Sequence, residues 1–470
     1  MKYLHSIWIC GLCLLSSLFL CARERVQPDA ASSSAGASKT QLALTPPMGW
    51  NSWDGYGTTI TEDEFKANAR WFAKHLKPAG WKYVVIDMEW FVTNPTGQGN
   101  SKDSHFSLDG KGRYTPALNR FPSAKNDAGF KPMADYAHSL GLKFGIHILR
   151  GIPKEAVEKN LPIVDAPFRA SDAADNSDTC PWNPDNFGID PRKPAAQAYY
   201  DSIARLYADW GVDLIKVDCI ASHPFKGEEI RMLAQALRKT GRSIVLSLSP
   251  GPAPLEKVAE LRRYAQMWRI SDDVWDIWHS DVPYPQGLGD QFANMARWAG
   301  RAQPGRWPDA DMLPLGYLGP APGWGEPRNT RLSHDEQTTL MTLWCMFPSP
   351  LMVGGRLPSA DDWTISLLTN AEVLAVDQHS TENQPIVTND RVVIWRAKSR
   401  NGYYLAGFNI SDSIQTLRYD WRDLGLKPGS YKIRDLWMHK DLESATLLTV
   451  ELRPHASVLY SASPLVKSAH

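Results

Sequence analysis

Lys216 and Asp218 close the run Trp210-Gly211-Val212-Asp213-Leu214-Ile215-Lys216-Val217-Asp218. Val212, Leu214, Ile215 and Val217 give it the near-continuous apolar texture of a strand covered on both faces. Alternate strand residues share a side, so the ammonium and the carboxylate project together with Leu214. Alone, such a pair reads as a structural ion pair. At the C-terminal end of a parallel strand it also stands where α/β barrels and doubly wound sheets place their chemistry. Acids recur at the ends of other apolar runs: Asp87, Asp272, Asp273, Asp309 and Asp311. Several such acids on successive strands converge on one centre. Two carboxylates facing one sugar can hydrolyse a glycosidic bond. One attacks the anomeric carbon while the other protonates the leaving oxygen and then activates water, and retention of configuration needs them about 5–5.5 Å apart.

The elements that must hold these residues alternate between strand and helix. Strands are expected at 47–50, 81–87, 142–148, 212–218, 243–247 and 266–270, around Met312 and Leu313, and near Leu351 and Met352. Helices are expected from Thr61 towards Leu76, over 131–140, 194–210, 226–238, 254–264, 291–301 and 333–347, and one ending at Asn370. About eight strand–helix units predict a parallel (β/α)8 barrel over 41–378. Long excursions at 88–127 and 149–192 follow strands and would lie over the face that holds Lys216 and Asp218. From 379 to 470 the texture changes to short strand-like pieces without helix patterns, which predicts an antiparallel β-sandwich.

The chain has 470 residues and a net charge of zero, and no basic tract, which argues against nucleic acid as a partner. Its 19 tryptophans exceed ordinary usage and can offer flat platforms to sugar rings as well as fill a core. Lys2 followed by the apolar run 7–20 reads as a signal peptide over 1–22, too short for a membrane span, with a flexible Ala/Ser/Gly-rich linker over 23–40. Export to the periplasm or the outside follows, and lipid anchoring at Cys21 is the weaker alternative because Leu20 is large. No phosphate-cradling glycine loop and no Cys/His metal spacing appears, so no cofactor or metal is expected. Cys345 lies in an apolar helix and reads as a buried free thiol.

Thr45-Pro46-Pro47-Met48-Gly49-Trp50-Asn51-Ser52-Trp53, Tyr83-Val84-Val85-Ile86-Asp87, the Trp210–Asp218 run, Trp268-Arg269-Ile270-Ser271-Asp272-Asp273 and Pro308-Asp309-Ala310-Asp311-Met312-Leu313 together resemble glycoside hydrolase family 27, the α-galactosidase (melibiase) family. The motifs occur in that family's order across about 45–375, and the C-terminal module resembles its β-sandwich. The resemblance implies that Asp218 is the nucleophile and Asp273 the acid/base of a retaining exo-glycosidase acting on carbohydrate. Lys216 beside Asp218 suits an ionised nucleophile, and Asp272 sets a like charge beside Asp273. It also implies that Lys216 and Arg269 bind sugar hydroxyls, that Trp53 forms an apolar wall, that Asp87 holds hydroxyls on the far side and that Met312 lines the pocket. Trp50 reads equally as core, and Asp309 and Asp311 as braces of the barrel mouth.

Departures from the family pattern fall on the sugar-reading positions. The family has Ile-Asp-Asp-Cys-Trp where this chain has Ile86-Asp87-Met88-Glu89-Trp90. Glu89 then either replaces the missing aspartate or is an exposed loop charge. His147 stands where the family carries Tyr, and either donates to a hydroxyl or closes its strand. Ser249 stands where α-galactosidases carry Glu and α-N-acetylgalactosaminidases carry Ser, which leaves room at C2 of the sugar. The family cysteine lies two positions after the nucleophile, whereas Cys219 is adjacent, so a Cys180–Cys219 disulfide is plausible without being fixed by the motif. Hydrolysis of terminal α-D-galactosyl residues is the leading expectation. β-L-arabinopyranosidase and α-N-acetylgalactosaminidase are the alternatives on the same scaffold, and a non-catalytic carbohydrate-binding protein is the alternative of another class.

Overall fold

The structure is a computed structural model describing residues 42–97 and 103–465. The segments expected to be a signal peptide and a linker, with Cys21, lie outside the described residues. Eight parallel strands form the first sheet: β1 (Met48–Asn51), β2 (Tyr83–Ile86), β3 (Lys143–Leu149), β4 (Leu214–Asp218), β5 (Val245–Leu248), β6 (Met267–Arg269), β7 (Trp307–Asp309) and β8 (Leu351–Val353). Their order is β7-β6-β5-β4-β3-β2-β1-β8. Leu313 bridges Val353 in parallel, with its N–H donating to the Met352 carbonyl at 2.8 Å, and so closes the ring. This is the expected barrel.

Strand alternation sorts the side chains as the pleat demands. Tyr83, Val85, Leu214, Val245, Met267, Met312 and Met352 meet in the barrel interior. Val84, Ile86, Ile215, Val217, Leu246 and Trp268 face the helices in the large core outside. Lys216 and Asp218 share the side of Leu214 and therefore point inward. Gly145 on β3 permits a close approach there, since a Cβ would stand 2.9 Å from the Val85 side chain.

One strand lies elsewhere than expected. β7 occupies Trp307–Asp309, and Met312 and Leu313 follow it. Asp311, with φ of 85°, breaks the extended run between them. The helix Glu62–His75 starts on a Thr61/Glu64 capping box, and Leu76 caps its end before Pro78. The helix Asp362–Thr369 ends at Asn370 as expected. The Asn370 side chain caps a further helix, Ala371–His379, directly after it. The 149–192 excursion builds its own antiparallel sheet from Ile152–Pro153, Ala174–Thr179 and Asn186–Ile189.

The C-terminal module contains β9 (Thr381–Thr388), β10 (Val392–Ser399), β11 (Gly402–Asn409), β12 (Gln415–Asp420), β13 (Tyr431–Asp435), β14 (Lys440–Asp441), β15 (Leu447–Leu452) and β16 (Ser457–Pro464). Six of them form the antiparallel sheet β9-β10-β11-β16-β13-β14, and β12 pairs with β15. Ile394, Leu405, Leu417, Trp421 and Leu448 fill the space between the two sheets. Val393, Trp395, Phe408 and Leu459 on the other face join the barrel's outer core. Among the described residues no helix is long and apolar enough to cross a membrane.

Candidate active site

The C-terminal ends of β1 to β7 open into a cavity of about 650 Å3. Trp53, Asp87, His147, Lys216, Asp218, Ser249, Arg269, Asp273 and Met312, all expected from the sequence, line it. The barrel brings them together because each sits on or just past an inward-facing strand position.

Asp218 ends β4 and is held from three sides. The Ser249 hydroxyl donates to its Oδ1 at 3.0 Å, Trp182 Nε1 donates to its Oδ2 at 3.3 Å, and His147 Nε2 stands 3.8 Å away. Burial would raise its pKa, but His147, Lys216 and the Cys219 N–H outweigh that and hold the carboxyl well below the usual carboxylate range. Asp218 is therefore ionised at neutral pH.

Lys216 Nζ donates to Asp87 Oδ2 at 2.9 Å, and Asn51 Nδ2 donates to the same oxygen at 2.6 Å. Against its burial, Asp87 and Asp218 keep Lys216 charged, and Lys216 and His147 keep Asp87 below its ordinary range. Arg269 Nη2 donates to Asp273 Oδ1 at 3.0 Å and Arg269 Nη1 meets Asp311 Oδ1 at 2.7 Å. The buried Asp311 carboxyl is pushed up to about 7, because burial and the neighbouring Asp273 and Asp309 outweigh the pull of Arg269. Asp272 borders the cavity, and His223 Nε2 stands 3.5 Å from its Oδ1.

Glu89 departs from both sequence readings. It is only 2% exposed, and it does not line the cavity. Asn183 Nδ2 donates to its Oε1 at 3.3 Å, and Met88 takes the place on the wall next to Asp87. With φ of 61°, Glu89 turns the chain so that its side chain packs beneath the 183–185 segment. Trp50 belongs to the core, with its Nε1 donating to the Gly355 carbonyl at 2.8 Å. Cys180 and Cys219 form a disulfide with Cα atoms 5.9 Å apart, and Cys345 is a buried free thiol.

The cavity also holds residues that sequence reasoning missed: Asp54, Trp182, His223, Trp275 and Tyr284. Asp54 directly follows the Trp50–Trp53 motif, so adjacency was its signal. Its buried carboxyl, with Oδ2 unpartnered, is pushed well above the usual range by burial and by Asp311. Trp182 lies two residues past Cys180, and Tyr284 sits between Pro283 and Pro285, both in segments without periodicity.

Residues 191–379 match the α-galactosidase A family and residues 389–462 match the α-galactosidase C-terminal β-sandwich domain. A family 27 β-L-arabinopyranosidase of Geobacillus stearothermophilus is 47% identical, with a TM-score of 0.87 over 91% of this chain and 98% of that one. A structure described as a putative α-N-acetylgalactosaminidase of Bacillus halodurans C-125 is 43% identical, with a TM-score of 0.80 over 90% and 98%. The α-galactosidase of Cyamopsis tetragonoloba is 28% identical over 90% of this chain and 87% of its own. With this barrel, this sandwich and these matches, the chain belongs to glycoside hydrolase family 27 and is a glycosidase of the α-galactosidase type.

Proposed function

We propose that the protein is an exported, retaining exo-glycosidase whose preferred terminal sugar is β-L-arabinopyranose, with α-D-galactose second. Asp218, ionised and held by Ser249 and Trp182, attacks the anomeric carbon. Asp273 gives its proton to the leaving oxygen, so the C–O bond breaks as the Asp218 ester forms. Asp273 then takes a proton from water, whose oxygen attacks the anomeric carbon and frees Asp218. Lys216, Asp87 and Arg269 offer charged hydrogen-bonding partners to sugar hydroxyls.

The observation that carries the choice of sugar is Met88 on the cavity wall beside Asp87, with Glu89 packed away from it. In the family pattern this position is a second sugar-binding aspartate. A thioether there is only a weak acceptor for a hydroxymethyl group, where a carboxylate would be a strong one, and presents a largely apolar surface. β-L-arabinopyranose is galactose without that group, so it loses nothing at this wall. The 47% identity to a β-L-arabinopyranosidase supports the same choice. The Cys180–Cys219 disulfide supports an oxidising compartment. The test is kcat/KM on 4-nitrophenyl β-L-arabinopyranoside, α-D-galactoside and α-N-acetylgalactosaminide under one condition. The first should exceed the second by about tenfold or more, the scale of a single methylene-sized discrimination. A galactoside preference would reverse the assignment.

A further inference from the structure

Arg150 directly follows the last residue of β3 and is only 2% exposed. A guanidinium keeps its charge and carries its donors in a fixed plane, so a buried one must find acceptors and counter-charges around it. Its Nε donates to the Cys219 carbonyl at 2.7 Å. Its Nη1 and Nη2 donate to the two Asp178 oxygens at 2.9 and 2.8 Å, and Nη1 also donates to Glu229 Oε1 at 3.1 Å. Lys226 Nζ donates to Asp178 Oδ2 at 2.8 Å, and the Tyr200 hydroxyl donates to Glu229. None of these groups lines the cavity.

Cys219 is the residue after Asp218, and its backbone is strained. With φ of 60° it occupies the left-handed region, where the Cβ of any residue but glycine crowds the chain. That turn brings the Cys219 N–H to the Asp218 carboxylate. Such a conformation persists only where its surroundings over-determine it. Here the disulfide to Cys180 holds the side chain, and Arg150 Nε holds the carbonyl. The backbone N–H of Arg150 adds a further tie, donating to the Asp218 carbonyl at 3.2 Å.

The same guanidinium reaches the other half of the bridge. Asp178 lies two residues before Cys180, on the strand Ala174–Thr179, and Trp182, two residues after Cys180, donates to Asp218 Oδ2. One buried side chain therefore braces both segments that present N–H donors to Asp218. We propose that Arg150 is a positioning residue for the nucleophile: by gripping the Cys219 carbonyl and Asp178 together it fixes the 218–219 turn and the 178–182 segment, so that Asp218 is held for attack before a sugar arrives. The inference rests on the reading of Asp218 as nucleophile given above and adds the residue that holds it in place.

Arg150→Lys keeps the charge that Asp178 and Glu229 need, but a single ammonium does not reproduce the fork. The test is single-turnover kinetics with the full chain in excess over 2,4-dinitrophenyl β-L-arabinopyranoside or α-D-galactoside, whichever the wild type cleaves faster. The saturating rate reads the attack by Asp218 and is independent of how much of the enzyme is folded, whereas the half-saturating concentration of folded enzyme reads sugar binding. Arg150→Lys should lower the saturating rate about tenfold and leave the half-saturating concentration within about twofold, because Arg150 touches no sugar-facing group. Asp178→Asn, which keeps the side-chain shape and one acceptor, should lower the saturating rate about threefold and carries the test if Arg150→Lys does not fold. Lys226→Met removes an ion pair of the same network without touching Cys219, and should lower the melting temperature while keeping the saturating rate within about twofold. The inference is overturned if Arg150→Lys and Asp178→Asn keep the wild-type saturating rate, if Lys226→Met loses as much rate as Arg150→Lys, or if the half-saturating concentration rises about tenfold. If the wild type cleaves neither glycoside, or Asp218→Ala keeps the wild-type rate, the reading of Asp218 falls and the inference with it.

Discussion

Asp311 grips the segment that carries Asp273 from two directions. Its Oδ1 meets Arg269 Nη1 at 2.7 Å, and its Oδ2 accepts the N–H of Val274, the residue after Asp273, at 2.7 Å. Arg269 Nη2 in turn donates to Asp273 Oδ1. Asp273, the acid/base of the proposed mechanism, is thus located through its side chain and through the adjoining backbone by one buried carboxyl group.

Asp311→Asn keeps an acceptor for Val274 and removes the charge that balances Arg269. Turnover of a saccharide substrate should fall about tenfold, a fraction of the roughly 10²–10⁴ that general acid catalysis contributes. A 2,4-dinitrophenyl glycoside, whose leaving group needs little protonation, should lose less in its glycosylation step. Steady-state and single-turnover rates on the two substrates check this. Equal losses would point to a general loss of structure.

Asp273→Ala should cost about 10²–10⁴ in kcat/KM on a saccharide, with the melting temperature little changed because the side chain stands at the cavity. The direct check is kinetics paired with thermal melting. Near-normal turnover would remove Asp273 from the acid role.

The sugar wall makes its own prediction. Met88→Asp restores a carboxylate beside Asp87, and the ratio of galactoside to arabinopyranoside turnover should rise about tenfold or more. An unchanged ratio would mean that C6 is read elsewhere.

Asp185 supplies a pH test of stability. Burial and the nearby Glu89 push its carboxyl up to about 7. A carboxyl with a raised folded pKa binds its proton more tightly in the native state. It costs nothing below about pH 4, where both states are protonated, and its stabilising effect is lost as pH rises from about 4 to 7. Asp185→Asn should therefore raise the melting temperature relative to wild type by a few degrees at pH 8 and less at pH 4.5. Calorimetric scans at the two values decide it; an equal shift at both would show that Asp185 does not titrate as described.

The Cys180–Cys219 bridge closes a loop with a sequence separation of 39 and holds Trp182 against Asp218. Cys180→Ser should lower stability by about 3–4 kcal/mol, and should also weaken saccharide binding. Denaturant melts and kcat/KM measure the two effects separately.

Much of this was legible in the chain. Lys216 and Asp218 were placed correctly because a period of two fixes their common side once Leu214 is known to face the interior. Asp87, Arg269 and Asp273 followed from motifs at other strand ends. Glu89 was misjudged because its fate depends on Asn183, nearly a hundred residues away in an excursion with no periodicity. Trp182 and Tyr284 were invisible for the same reason, and Asp311 was read as a brace of the barrel mouth without its partners Arg269 and Val274, because loops and buried ion pairs are set by tertiary contacts. β7 was misplaced by the backbone turn at Asp311, which alternation alone does not announce.

The central claim, that Asp218 forms a covalent bond to an arabinopyranosyl unit, is tested most directly by trapping. A 5-fluoro-β-L-arabinopyranosyl fluoride combines a good leaving group with a ring fluorine that slows hydrolysis of the glycosyl ester. The enzyme should lose activity with time and gain one glycosyl unit, which peptide mass spectrometry should locate on Asp218. A label on another residue, or turnover of the reagent with inversion and no label, would contradict the account.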